Sequence, residues 1–321
     1  MSCDAGKGVL FVGLTCVDIV NVCDHYPEED SDQRVLDQRW QRGGNASNSC
    51  TVFAKLLKWF HDNCDSGGQN YFVQCFGTLA TDNMAKFLIE DFSRLNIKID
   101  GIEIHENDST PSTCVIINSQ NGSRTILHSN KEPSAETFMK LDLTKFIWIH
   151  FEGRNVLQAR NMIKHIRKID SQRKITVSVE IEKPREVLKE FFDEDIDYLF
   201  VGKDFSSYCG YDTPEDACDR LIQILSPGIT VICPWGERGV SAAKRLADGR
   251  KQNFYSPIFS PKFGVVDTLG AGDTCIAAIV FAITVLAYTV KEAIKFGCRV
   301  AGAKCGMHGF ERLHEFKNLI E

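Results

Sequence analysis

Residues 260–274 read SPKFGVVDTLGAGDT. The run SPKFGVV passes from polar to apolar and leads into Asp267-Thr268-Leu269-Gly270-Ala271-Gly272-Asp273-Thr274, after which a long apolar helix is expected. Small residues at Gly270, Ala271 and Gly272 let backbone amides come close to a ligand. Those amides open a helix, and a helix N-terminus favours an anion such as phosphate. Asp273 then stands where a carboxylate can take the proton from an alcohol attacking that phosphate. A glycine turn with Asp273 as a simple helix cap would leave the same pattern. The helix itself has to be placed, because Thr274–Val290 carries no charge and is just long enough to suggest a membrane span. Thr and Cys recur within it, Thr289 followed by Glu292 has the form of a capping box that starts a new helix, and no second span accompanies it. The stretch is therefore expected to be a buried core helix, and the chain a soluble α/β protein.

Outward from this segment, short β-branched apolar runs recur at Gly8–Gly13, Tyr71–Phe76, Lys145–Phe151, Ile175–Val179, Tyr198–Val201 and Ile229–Cys233. Helical patterns lie between them at Ala46–Leu57, Asn83–Leu95, Leu157–Ile169, Pro214–Leu225 and Lys291–Cys305. Strands alternating with helices predict βαβ units, a mostly parallel sheet and helices on both faces. Two regions break the alternation. Thr15–Trp40 reads as strands around the polar loop HYPEEDSD, and Ile102–His128 as strands around a tight turn, with Asn121-Gly122 set between apolar alternations. These strands are expected to form a small antiparallel sheet outside the main one, with Ile19, Val115, Ile117 and Ile126 on one apolar face. The expected division is an α/β domain from residues 1–14, 41–101 and 129–321, and a β-sheet lid from 15–40 and 102–128. Cys64–Asn70 reads as a surface loop.

Of the 321 residues, 43% are hydrophobic and 25% charged, ordinary globular values. A net charge of −6 argues against nucleic acid as a partner. The 13 cysteines form no C-x-x-C pair and no zinc spacing with histidine, which is expected of free thiols in a reducing compartment. His150, in an apolar run, reads as a core histidine. The first residues lack a signal-peptide pattern, so the chain is expected to be cytoplasmic. No Walker A pattern is present, which excludes P-loop kinases, and no protein-kinase H-R-D or D-F-G set appears.

A second segment, Arg42-Gly43-Gly44-Asn45-Ala46-Ser47-Asn48, sets a glycine pair before a helix, which is ordinarily a turn and cap. Asn45 and Asn48 are three apart and share a helix face at its start. Their amides each offer a donor and an acceptor, suited to hydroxyl recognition.

The octapeptide Asp267–Thr274, followed by small residues at Ala277 and Ala278, resembles the C-terminal signature of the ribokinase/PfkB family of carbohydrate kinases. The Arg42–Asn48 segment resembles its N-terminal signature. The resemblance implies that Asp273 is the catalytic base and that Gly270, Ala271 and Gly272 form its anion hole. QRWQRGGNASNSCT (38–51), WIHFEGRN (148–155), VSVEIEKPRE (177–186) and FGCRVAGAKCG (296–306) extend it along nearly the whole chain, toward the branch that phosphorylates ketohexoses. That branch implies transfer of the γ-phosphate of ATP to the 1-hydroxyl of D-fructose. It further implies that Asp18, Gly43, Gly44, Asn45 and Asn48 hold the sugar. Arg124, Glu237 and Gly239 would line the ATP side, Lys203 would lie near the phosphates and Cys305 near the adenine. A homodimer clasped through the lid is implied as well, with Asp30 of the acidic loop reaching the partner's sugar. Read alone, each has an ordinary alternative: a turn residue at Asp18 at the end of the first strand, a solvated side chain at Arg124, a surface lysine at Lys203 ending a strand, and a solvated acidic turn around Asp30. The Trp235–Gly239 segment ends a strand, where open α/β sheets bind ligands.

The family's N-x-x-E motif for magnesium is absent; the strand end reads Val201-Gly202-Lys203-Asp204. Magnesium is expected to arrive as Mg-ATP, since it binds largely through phosphates and waters, with Glu182 and Asp204 as acidic candidates. The family also implies potassium near Asp267 and Thr268. Another alcohol on the same fold, such as ribose or adenosine, and a non-catalytic sugar-binding regulator are the alternative functions. A nucleoside kinase needs an aromatic slot and a fructose-6-phosphate kinase a basic cluster; neither is evident near the glycine pair.

Overall fold

A computed structural model of the chain describes residues 6–64, 69–129, 131–262 and 264–315. The first apolar run is β1 (Lys7–Val12), which sends Val9 and Phe11 into one core and Leu10 and Val12 into another. A strand apolar on both faces belongs inside a sheet covered on both sides. The chain then leaves the main sheet for β2 (Cys16–Cys23) and β3 (Asp37–Gly43), and returns through α1 (Asn45–Asn63) to β4 (Tyr71–Phe76). There follow β5 (Thr78–Ala80), α2 (Asn83–Arg94), β6 (Glu103–His105), and the hairpin β7 (Ser112–Asn118) and β8 (Arg124–Ser129). The second half alternates: α3 (Ala135–Phe138), β9 (Phe146–Glu152), α4 (Val156–Ile169), β10 (Thr176–Ile181), β11 (Tyr198–Val201), α5 (Lys203–Tyr208), α6 (Pro214–Ile224) and β12 (Thr230–Pro234). It closes with the hairpin β13 (Val240–Arg245) and β14 (Lys251–Ser256), then α7 (Ala271–Thr284) and α8 (Val290–Cys305).

The main sheet has eight strands in the order β14-β13-β12-β11-β10-β9-β1-β4, parallel from β12 to β4, with β13 and β14 antiparallel at one edge. The chain steps from β1 one way to β4 and the other way to β9, so the strand order reverses around β1. In open α/β sheets ligands bind at such a switch point, beyond the carboxyl ends of the strands. The α/β architecture expected from the alternation is present. The edge hairpin was not foreseen, because β14 (KQNFYS) is mostly exposed and carries no apolar alternation.

α7 is apolar all round, and residues 273–282 are all buried. Its Phe281 packs edge-on against Phe53 and Phe60 of α1, at 5.4 and 6.4 Å between ring centroids. Each such fully buried ring contributes about 1.5–3 kcal/mol. The uncharged stretch ends at the expected capping box: the Thr289 hydroxyl accepts from the Glu292 amide, and the Glu292 carboxylate accepts from the Thr289 amide at 2.9 Å. Among the described residues no helix is long and apolar enough to cross a membrane, and every cysteine is a free thiol.

The lid sheet has the order β3-β2-β7-β8, and three expectations about it are corrected. It is mixed rather than antiparallel, since β2 and β7 run parallel. Residues 103–105 pair instead with β5 in a separate two-stranded sheet. Ile19 does not share a face with Val115, Ile117 and Ile126: register pairs Ile19 with Cys114, and Val20 with Val115 and so with Ile126. A register shift of one residue exchanges faces, and the sequence of one strand carries no record of its partner's register. The hairpin turn spans residues 119–123 with Gly122 at φ 70. The surface loop expected at Cys64–Asn70 falls mostly outside the described residues.

Candidate active site

The two glycine segments meet. α1 starts directly after Gly44, whose φ of 98 lies in the left-handed region; a Cβ there would stand 2.2 Å from the Leu14 carbonyl oxygen. Only glycine allows the chain to turn so close to the end of β1. The turn is held by Arg42, which donates to Asp91 at 2.6 Å, to the Ser47 carbonyl at 2.9 Å and to Thr51 at 2.6 Å. It presents Asn45 and Asn48 toward the strand ends. Asn48 Nδ2 donates to Asp273 Oδ2 at 2.8 Å, and Asn45 Nδ2 donates to Glu182 Oε2 at 3.0 Å.

Asp273 lies in the first turn of α7. The cap is Gly270, left-handed at φ 72, so Asp273 is not the cap. The Ala271 amide is taken by the Thr268 carbonyl at 3.1 Å, and Thr274 donates to Gly270 at 2.9 Å. The Gly272 and Asp273 amides meet no protein acceptor among the described residues. A Cβ on Gly272 would find nothing within 4 Å, and its φ is helical, so the glycine is not needed for its own backbone but leaves open space before two free amides. Free amides at a helix start can receive an anion. Burial pushes the Asp273 carboxyl up to about 7. The Asn48 hydrogen bond works against this, Glu152 and Glu182 reinforce it, and Lys183 opposes it.

Near Asp273 the carboxyl ends of β9 and β10 and the start of α1 make a cleft lined by Asn45, Glu152, Arg154, Glu180, Glu182 and Lys183. Glu152 accepts from the Leu14 amide at 2.8 Å and from Arg154 Nε at 2.8 Å. Burial drives the Glu180 carboxyl well above its usual range, helped by Asp273 and Glu182. The sequence assigned no role to Glu152, Arg154, Glu180 or Lys183. The available signal was a carboxylate at the end of a buried apolar strand, and only the parallel sheet brings those ends together. Basic side chains do gather near the glycine pair, contrary to expectation, but Arg154 is engaged by Glu152 at 2.8 Å and Glu132 at 3.8 Å, and Lys183 by Glu182 at 2.8 Å.

Asp18 is not at the end of the first strand; it lies within β2, in the lid. Its carboxylate rests on Gly43, where a Cβ would come within 2.2 Å of it, and accepts from Cys16 Sγ at 3.4 Å. Burial raises its pKa. Lys203 does not end a strand: Gly202 caps α5 and Lys203 opens it. It pairs with Glu237 at 2.5 Å, so these two expected ATP-side residues are brought together, beside Gly239 at φ 76. Arg124 stands exposed at the turn end of β8, opposite Ile117, and no bond joins it to Lys203 or Glu237 among the described residues. Cys305 ends α8, and its carbonyl accepts from the Val266 and Asp267 amides at 2.7 and 3.2 Å. Asp30 is exposed, at φ 57 in the acidic loop.

No group of three or more His, Cys, Asp or Glu side chains is arranged to hold a metal among the described residues. Glu182 opens to the cleft, whereas Asp204 sits at the surface in the first turn of α5. The residues at the expected potassium position do not suit that ion, because the Lys304 ammonium donates to both the Asp267 carbonyl and its carboxylate, at 2.9 and 2.8 Å.

The profile of pfkB family carbohydrate kinases matches residues 7–313. The chain is 42% identical to ketohexokinase from Mus musculus over 312 residues, covering 95% of this chain and 98% of that one. The fold is that of ribokinase. The Giardia lamblia enzyme superposes with a TM-score of 0.80 at 15% identity, covering 97% of this chain and 99% of the other. The Arabidopsis thaliana enzyme, solved with ribose and ATP, superposes with a TM-score of 0.77 at 19% identity, covering 98% and 99%. Both signature segments are present, they are joined through Asn48 and Asp273, and the family profile spans nearly the whole molecule: the chain belongs to the pfkB family of carbohydrate kinases.

Proposed function

We propose that this sugar kinase transfers the γ-phosphate of ATP to the 1-hydroxyl of D-fructose, giving fructose 1-phosphate and ADP. The observation that carries the mechanism is the 2.8 Å bond from Asn48 to Asp273, which sets the sugar-recognition segment against a buried carboxylate at a helix start with two free amides. Asp273 takes the hydroxyl proton as the oxygen attacks the γ-phosphorus, and the bond from the γ-phosphorus to the bridging oxygen breaks toward ADP. The Gly272 and Asp273 amides receive the charge that spreads over the transferred group. Asp18, Gly43, Gly44, Asn45 and Asn48 orient the sugar. Lys203, Glu237, Gly239, Arg124 and Cys305 belong to the ATP side, Arg124 joining it when the lid moves. Magnesium would come with ATP; Glu182 is the cleft carboxylate that would hold it, and the ion would supply neutralisation of phosphate charge. The 42% identity to a ketohexokinase supports a ketohexose acceptor. The lid joins two copies through its exposed apolar residues, and Asp30 reaches the partner's sugar.

The test is an ADP-release assay over fructose, tagatose, ribose, adenosine and fructose 6-phosphate, with the phosphorylated carbon located by NMR. Fructose should give the highest kcat/KM and the 1-phosphate. Preference for ribose or adenosine overturns the substrate reading, and a product phosphorylated elsewhere overturns the regiochemistry.

A further inference from the structure

Lys304 has no solvent exposure. It lies in the last turn of α8, and its ammonium stands 5.7 Å from the centroid of the Phe310 ring. A lysine head is rarely buried so fully unless it is paired. Among the described residues its hydrogen-bond acceptors all belong to one residue: Nζ donates to the Asp267 carbonyl at 2.9 Å and to Asp267 Oδ2 at 2.8 Å. The same carboxylate accepts from the Leu269 amide at 2.9 Å and the Gly309 amide at 3.3 Å. Burial alone would raise the Asp267 pKa; the Lys304 hydrogen bond and the amides outweigh it and leave the carboxyl below its usual value. One internal charge thus gathers the loop before the anion hole, the end of α8 and the turn after it. The loop runs from Asp267 to Gly270, whose left-handed turn aims the Gly272 and Asp273 amides. A soluble monovalent cation placed on the same oxygens would sit within a few ångströms of the ammonium and be repelled by it.

We propose that Lys304 is a built-in replacement for a monovalent cation: its ammonium fixes the Asp267–Gly270 loop, and with it the phosphate-binding amides, so that turnover needs no potassium. The inference rests on Gly270–Asp273 being the phosphate site. Lys304 acts through the loop and is a positioning residue.

The experiment compares potassium chloride with tetramethylammonium chloride at equal ionic strength, following kcat, the KM for ATP, and thermal unfolding without substrates. Wild-type values should be the same in both salts. Lys304→Ala should lose about ten- to a hundredfold in kcat in tetramethylammonium, the scale of a misplaced reacting group, and recover a large part of it in potassium, which then fills the vacated place. Three results overturn the proposal: wild-type activity or unfolding temperature that rises specifically with potassium, a Lys304→Ala protein fully active in both salts, or a folded Lys304→Ala protein equally slow in both. If Lys304→Ala does not fold, the wild-type comparison decides alone. Failure of the phosphate-site reading shows separately, as an unchanged kcat/KM for ATP in Gly272→Val, and leaves the unfolding data on Lys304 unaffected.

Discussion

Asp273 holds its proton to about pH 7 because burial outweighs the Asn48 bond, and two outcomes follow. As a general base it must be ionised, so kcat/KM should fall about tenfold per pH unit below that value and level off above it; a flat profile down to pH 5 would remove Asp273 from the proton transfer. The same shift acts on stability. A carboxyl whose folded pKa exceeds its unfolded value of 3.8 binds protons better when folded, so its contribution is full below the unfolded value and is lost as pH rises through the folded one. Asp273→Asn should therefore lose about a hundredfold or more in turnover, yet unfold at a higher temperature than wild type at pH 8, with the gap narrowing toward pH 5. A variant less stable at pH 8 would mean that the charge is compensated in the free enzyme. Both signature segments and the buried carboxylate were legible at this scale, since glycines and a carboxylate at a helix start form a local pattern. Lys304 was not: a lysine in the last turn of a helix reads as an ordinary partner of the helix dipole, and only folding brings Asp267 over it.

At the scale of elements, the start of α7 gives a clean test. Since a Cβ on Gly272 meets nothing within 4 Å, Gly272→Val should fold with nearly unchanged melting behaviour and fill the space the phosphate needs. Its kcat/KM for ATP should fall by about a hundredfold or more, comparable to losing an oxyanion donor; normal phosphorylation would make the glycine incidental. Gly43→Ala differs, because its Cβ would come within 2.2 Å of the Asp18 carboxylate. It should raise the KM for sugar while leaving the KM for ATP in place, and equal changes in both would place Asp18 elsewhere in the mechanism. The parallel strands and their helices could be read from apolar runs because burial on both faces dictates composition. The parallel pairing of β2 with β7 and the edge hairpin β13–β14 could not, because pairing across a long sequence separation, and a solvated edge, leave no periodic mark on the strand itself.

At the scale of the whole molecule, one face of the lid exposes Trp40 and Leu127 at 43 and 59%. A small sheet with such residues uncovered is marginal alone, and an isologous contact between two lids would cover them. Sedimentation at micromolar concentration should give a dimer, and Asp30→Ala should weaken fructose binding without separating the subunits; a fully active monomer would end the idea of a shared site. The opposite arrangement holds for Asp273. Asp273 is carried by the most enclosed helix of the protein, with residues 273–282 all buried. Segments so placed open only when the entire molecule does. The amides of α7 should be among the slowest to exchange with deuterium and those of the lid among the fastest. Heat should then leave catalysis no separate weak point: inactivation and global melting should coincide, while the reversible loosening that precedes them touches only the small sheet.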